Sequence, residues 1–139
     1  MPKSPLHHLD LNVSDLQRSY TFYGQLLTQL GYRRVDYSSP AEPDGFDWLG
    51  PDNLGRFSLG LYLAEDPSSY NRRAPGVHHI AFAAPTRGAV DELYQALLAM
   101  QATLLDPPRA YPQYEPDYYA VFFLDPDGIK LEYVFTPDA

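Results

Sequence analysis

Apolar residues alternate with polar ones from Leu6 to Val13. Leu9, Leu11 and Val13 fall on one face and His8, Asp10 and Asn12 on the other, which is the period of a half-buried strand. Ser14 followed by Gln17 spells a capping box, and Leu16, Tyr20, Tyr23, Leu26, Leu27 and Leu30 then recur at helical spacing until Gly31 ends the run. Tyr32 to Tyr37, Phe46 to Leu49 and Phe57 to Leu63 are short apolar runs separated by Pro, Gly, Asp and Ser, so three further strands are predicted. Residues 6–64 thus read βαβββ.

Glu65 to Gly76 carries no apolar period and reads as a linker, after which the pattern restarts. Val77 to Ala84 is a strand, Thr86 caps a helix running to about Met100, and Thr103 to Leu105 is a brief strand before a Pro- and Tyr-rich loop through Asp117. Tyr118 to Leu124 and Ile129 to Phe135 flank Asp125-Pro126-Asp127-Gly128, whose Pro and Gly suit a tight turn, so the last strands form a hairpin. Residues 77–136 again read βαβββ. The stretches from His7 to Leu30 and from His78 to Gln101 align without a gap at an offset of 71 residues, matching His7 with His78, His8 with His79 and Tyr23 with Tyr94. The expected architecture is a single α+β domain of two paired βαβββ modules. Their strands form a cupped mixed sheet with the helices on its outer face.

The face opposite the apolar stripe supplies the candidate chemistry. All four histidines of the chain lie in the doublets His7-His8 and His78-His79, and strand phase puts His8 and His79 away from the helix-packed side. In the last strand Ile129, Leu131, Tyr133 and Phe135 share a face, leaving Lys130, Glu132 and Val134 on the other. Two imidazoles and one carboxylate converging on a shared hollow make a 2-His-1-carboxylate set for a divalent metal. His7 and His78 read as flanking residues that face the other way.

Moving back 71 residues from Glu132 lands on Leu61, so the first module offers no matching carboxylate. Alternation within Phe57 to Leu63 allows a second register, in which Leu61 turns to the helices and Ser58, Gly60 and Tyr62 take the inner face. Tyr111, Tyr114, Tyr118 and Tyr119 crowd one loop and strand edge, where some of them can line a pocket.

The whole chain, 139 residues with a net charge of -8 and only ten Lys and Arg, has no basic stripe for nucleic acid and would be repelled by an anionic membrane surface. Without cysteine, any metal must be held by nitrogen and oxygen ligands. No run approaches a membrane span and the start lacks an apolar signal core, so a soluble cytoplasmic protein is expected.

The segments H-L-D-L-N-V-S-D-L-Q-R-S-Y-T-F-Y from His8 to Tyr23, G-V-H-H-I-A-F from Gly76 to Phe82 and D-P-D-G-I-K-L-E from Asp125 to Glu132 resemble the vicinal oxygen chelate superfamily. That is the group of glyoxalases, bleomycin-resistance proteins and extradiol dioxygenases. The resemblance implies paired βαβββ modules around a divalent metal, with ligand positions on His8, His79 and Glu132, and it implies a homodimer. Glyoxalase I enzymes of this group use a fourth ligand, usually glutamate, on the strand of Leu61, so its absence argues against that activity. The three-ligand set is similar to that of extradiol dioxygenases and fosfomycin-resistance thiol transferases.

The expected function is therefore an enzyme using Fe(II) or Mn(II), with Zn or Ni as further options, on a small substrate chelated through adjacent oxygens. The reaction would be dioxygenase-like, or a glyoxalase-like lyase or isomerase step. Tyr118, Tyr119, Asp10 and Glu115 are the candidate acid-base residues. The alternative is a metal-independent protein of the bleomycin-resistance type that sequesters a small molecule in an aromatic cup.

Overall fold

A computed structural model describes residues 6–35, 46–49 and 57–137. The chain divides into two compact units, Met1–Ser68 and Ser69–Ala139. In the first unit β1 (His8–Val13) leads to α1 (Leu16–Gln29), then β2 (Arg33–Val35), β3 (Phe46–Leu49) and β4 (Ser58–Leu63). In the second, β5 (His79–Ala83) leads to α2 (Arg87–Ala99), then β6 (Thr103–Ala110), β7 (Tyr119–Leu124) and β8 (Lys130–Phe135). Both units are βαβββ, as the periodicity predicts; the end of the expected strand Tyr32 to Tyr37, beyond Val35, lies outside the described residues.

The sheets repeat as well, with strand orders β1-β4-β3-β2 and β5-β8-β7-β6. In each the first strand pairs parallel with the last, and the remaining pairings are antiparallel. A parallel pair needs a crossover, and the helix that supplies it packs on one face of its own sheet. Leu11, Val13, Tyr23, Leu26, Leu27, Leu59 and Leu61 fill the helix side of the first unit. Phe82, Val90, Leu93, Leu97, Val121, Phe123 and Leu131 fill that of the second. Among the described residues no helix is long and apolar enough to cross a membrane.

Three local expectations change. Helix α1 is capped by Asp15, whose carboxylate accepts from the Arg18 N–H at 2.9 Å, while Ser14 Oγ accepts instead from the Arg18 guanidinium. With Ser14 Oγ so engaged, the cap falls on Asp15, one position later than the capping-box spelling. Thr86 caps α2 as expected, accepting from the Ala89 N–H at 3.0 Å. Second, β6 does not stop at Leu105 but continues through Pro107 and Pro108 to Ala110, with register shifts between Leu104 and Arg109. It is an edge strand, so an N–H missing on its outer side costs no ladder bond. Third, β4 pairs Leu61 with Leu11, which turns the buried Leu61 toward the helix.

Both helices end in the same wrap. Tyr32 N–H reaches Leu27 O and Gly31 N–H reaches Thr28 O; Ala102 N–H reaches Leu97 O and Gln101 N–H reaches Leu98 O. The residue between must be left-handed: Gly31 has φ 90° and Gln101 has φ 56°. A glycine avoids the Cβ clash that Gln101 bears there. Gln101→Gly is therefore expected to stabilise the protein by about 0.5–1 kcal/mol, measured by urea unfolding, whereas Gly31→Gln should destabilise it.

Candidate metal centre

The hairpin that joins β7 to β8 sets the position of Glu132. Asp125, buried at the end of β7, accepts the N–H groups of Asp127 and Ile129 on one carboxylate oxygen at 2.9 and 2.8 Å, and Gly128 turns the chain with φ 85°. This closes the loop so that Leu124 faces Lys130, Phe122 faces Glu132 and Ala120 faces Val134. On the other side of β8, the parallel partner β5 sets His79 opposite Lys130 and Ala81 opposite Glu132. Leu131 and Tyr133 then take the helix side, and His79 and Glu132 share the opposite face, as strand phase predicts. They are diagonal neighbours, and the residue directly across from Glu132 is only an alanine. The imidazole can therefore lean toward the carboxylate, bringing His79 Nε2 to 3.8 Å from Glu132 Oε2.

Glu132 is 2% exposed, an unusual setting for a carboxylate in a strand. Its polar partner is Tyr118, whose hydroxyl donates to Oε1 at 2.5 Å and is shared with Oε2 at 3.0 Å. Burial first, and then the bond to Glu132, push the Tyr118 phenol well above the ordinary tyrosine range. The phenol thus stays a proton donor. Tyr118 is held by its loop: its carbonyl accepts the Tyr111 N–H at 2.8 Å, its N–H reaches Glu115 O at 3.3 Å, and Asp117 before it adopts φ 62°. Arg87 of α2 anchors that left-handed Asp117 through a 3.3 Å ion pair. Tyr111 and Tyr114 stack at 5.5 Å, and both meet Tyr118 edge to face.

The remaining acid-base candidates separate. Tyr119, one residue on, points to the helix side, where its hydroxyl donates to Asp91 of α2 at 2.6 Å; successive strand residues face opposite ways, so it does not join Tyr118 at Glu132. Glu115 is exposed on the loop and meets Tyr118 through its backbone carbonyl. Asp10 lies in the first unit beside His8, with Oδ2 3.8 Å from His8 Nε2.

The first unit therefore repeats the motif with a change. Its register pairs His8 with Ser58, Asp10 with Gly60 and Leu11 with Leu61. Since Ala81, the repeat partner of Asp10, faces Glu132, the position matching Glu132 is Gly60 and not Leu61. The pairing is offset by one residue relative to the 71-residue repeat, and the fully buried Leu61 packs toward α1 beside Leu11. Gly60 has no side chain to offer. The carboxylate near the histidine comes instead from Asp10, on the same strand as His8.

The histidine doublets hold contacts that strand phase missed. His7 Nδ1 lies 2.9 Å from His8 Nδ1, and His78 Nδ1 lies 2.8 Å from His79 Nδ1. Both leading residues sit just outside their strands, where alternation no longer dictates direction, so they turn onto the neighbouring ring and do not face away from it. Loss of solvent, and then the neighbouring His79, Arg73, Arg72 and Lys130, lower the His78 pKa below its ordinary value.

The donor chemistry of the second unit suits a divalent cation. An imidazole nitrogen and a carboxylate oxygen 3.8 Å apart fall within the roughly 4.2 Å that two bonds of about 2.1 Å can span. Among the described residues no three His, Asp or Glu side chains form a gathered metal-holding group. His79 and Glu132 are a pair, and His8 belongs to the other unit.

Because Glu132 is buried, its bond to Tyr118 should be worth about 1.5–3 kcal/mol. In a double-mutant cycle of Tyr118→Phe and Glu132→Met, the latter offering the phenol no oxygen, a coupling of about that size is expected in urea unfolding. Additive effects would mean that the two groups do not interact.

Residues 5–133 match the Glyoxalase/Bleomycin resistance protein/Dioxygenase superfamily. The protein YqjT of Bacillus subtilis strain 168 is 35% identical over 132 residues, covering 93% of this chain and 97% of YqjT. A crystal structure described as a candidate glyoxalase of Bacillus halodurans is 32% identical, with a TM-score of 0.76 and 96% of both chains covered. The fosfomycin resistance protein FosX of Listeria monocytogenes, 19% identical with 96% of this chain and 93% of that one covered, shares the fold at a TM-score of 0.66. On the match across nearly its whole length, this chain belongs to the Glyoxalase/Bleomycin resistance protein/Dioxygenase superfamily.

Proposed function

We propose that this protein is a divalent-metal-dependent enzyme acting on a small substrate bound through two adjacent oxygens, with His8, His79 and Glu132 as the protein ligands. The observation that carries the reading is the buried Glu132 carboxylate facing His79 Nε2 across 3.8 Å. A carboxylate removed from water needs a cation or several hydrogen-bond donors, and among the described residues Tyr118 is the donor to it. His8 enters through its equivalence to His79. Each opens the first strand of its unit, follows another histidine, and has its Nε2 3.8 Å from a carboxylate oxygen.

The nitrogen and oxygen donors suit Fe(II) or Mn(II), with Zn or Ni compatible; the ion would supply Lewis acidity to the chelated substrate. Tyr118 keeps Glu132 oriented, and Asp10 is the exposed carboxylate suited to moving a proton beside His8. Gly60 at the place of a fourth ligand argues against glyoxalase I chemistry and favours the three-ligand reactions: dioxygenation, or lyase, isomerase and transferase steps. The substrate is a small molecule, and the protein acts as a homodimer in the cytoplasm.

A second reading has its own observation. Tyr114 is 62% exposed while stacked on Tyr111, a surface on which a planar ligand could lie in a protein that only sequesters.

Metal titration separates the two. Wild-type protein is expected to bind one Mn(II) or Co(II), and His8→Ala, His79→Ala and Glu132→Ala should each weaken binding by more than the 10–100-fold that changes beyond the ligands cost. Stoichiometric metal retained in all three variants would overturn the assignment. Ligand binding that ignores His8→Ala would favour sequestration.

A further inference from the structure

The same contact occurs in both units, between the rings of each histidine doublet. Two imidazole nitrogens 2.8 or 2.9 Å apart are at hydrogen-bond distance, so one of them carries the proton and the other accepts it. Which one matters for the second histidine, because a neutral ring has a single N–H. If His79 holds it on Nδ1, its Nε2 is a bare lone pair; if His78 is the donor, His79 must carry its proton on Nε2, facing Glu132.

The far side of the ring favours the first of these. At 3.8 Å from Glu132 Oε2, Nε2 makes no hydrogen bond to the carboxylate, so Glu132 does not hold a proton on that side of the ring. The Nδ1 side, in contrast, is closed at 2.8 Å. The first unit gives the same answer with a different carboxylate, since His8 Nε2 stands 3.8 Å from Asp10 while its Nδ1 is 2.9 Å from His7. Asp10 lies on the histidine's own strand and Glu132 on the neighbouring one, so the shared pattern does not come from one accident of packing.

We propose that the leading histidine of each doublet, His7 and His78, is a positioning residue. It accepts the Nδ1–H of the following histidine and leaves Nε2 of His8 and His79 as the bare, ligating nitrogen. The assignment deepens the reading of His8 and His79 as metal ligands and rests on it for its purpose, although the tautomer itself can be observed without metal. Fixing the tautomer and ring angle in advance is what outer partners of metal-bound histidines do. Here the outer partner is the adjacent residue, which explains why the histidines come in pairs at a strand's entry.

The test uses metal-free, nitrogen-15-labelled full-length protein at a pH where imidazoles are neutral, with His79 identified by its disappearance in His79→Asn. Two-bond correlations between ring nitrogens and carbon-bound protons should show His79 protonated on Nδ1 and bare on Nε2. In His78→Phe, which keeps a ring but removes the acceptor, the His79 signals should move toward the Nε2–H form. His78→Asn should restore them, because its carboxamide oxygen can take the place of Nδ1.

Co(II) affinity should follow the same order, falling about 10–100-fold in His78→Phe and recovering in His78→Asn. An Nε2–H tautomer in the wild type, or signals indifferent to His78→Phe, would overturn the proposal even if metal binds normally. If the tautomer behaves as stated but wild-type protein binds no Co(II), the tautomer assignment stands and the metal assignment falls.

Discussion

The parallel pairing of each unit's first strand with its last is the constraint on which the rest depends. It forces a helical crossover, and the helix claims one face of the sheet for the core. What is left on the other face is decided by register alone. In the second unit that register sets Ala81 against Glu132 and lets His79 lean in diagonally; in the first it sets Asp10 against Gly60. Strand pairing thus brings imidazole and carboxylate together in the second unit, whereas in the first the two stand two residues apart on one strand.

Burial then distinguishes the two sites. Glu132 is removed from water and held by a tyrosine whose raised pKa keeps it a donor, while Asp10 and His8 remain largely open to solvent. A fixed, desolvated carboxylate is suited to holding a cation, and an accessible one to exchanging protons. The structure around Glu132 is correspondingly elaborate: the Asp125 turn fixes the strand, the Tyr111–Tyr118 bond closes the loop, and Arg87 pins the left-handed Asp117. Each of these contacts is remote from the carboxylate, yet each limits where the Tyr118 hydroxyl can be.

Much of this was legible beforehand. The doubled βαβββ order, the extents of both helices, and the phase that puts His79 and Glu132 on one face follow from periodicity within single segments. Other features did not. Strand β6 runs through two adjacent prolines, because it lies at the sheet edge and its register shifts between Asp106 and Arg109, which takes both out of the ladder. Asp15 displaces Ser14 as the cap. Tyr118 and Tyr119 part company, since whichever starts on the open face sends the other to the helix. His7 and His78 turn onto their neighbours from positions just outside the strands.

Alone, the sequence determined the repeat, the elements and the facing of residues along each strand, because those depend on side-chain chemistry at short range. Only the tertiary structure decided which residue stands opposite which. The shift that replaces Leu61 by Gly60 at the counterpart of Glu132 is a single residue: alternation offers that register and the 71-residue repeat the other, and only the pairing of β4 with β1 chooses between them. Hydrogen bonds between strands fix that register, and they join segments whose separation along the chain carries no periodic signal.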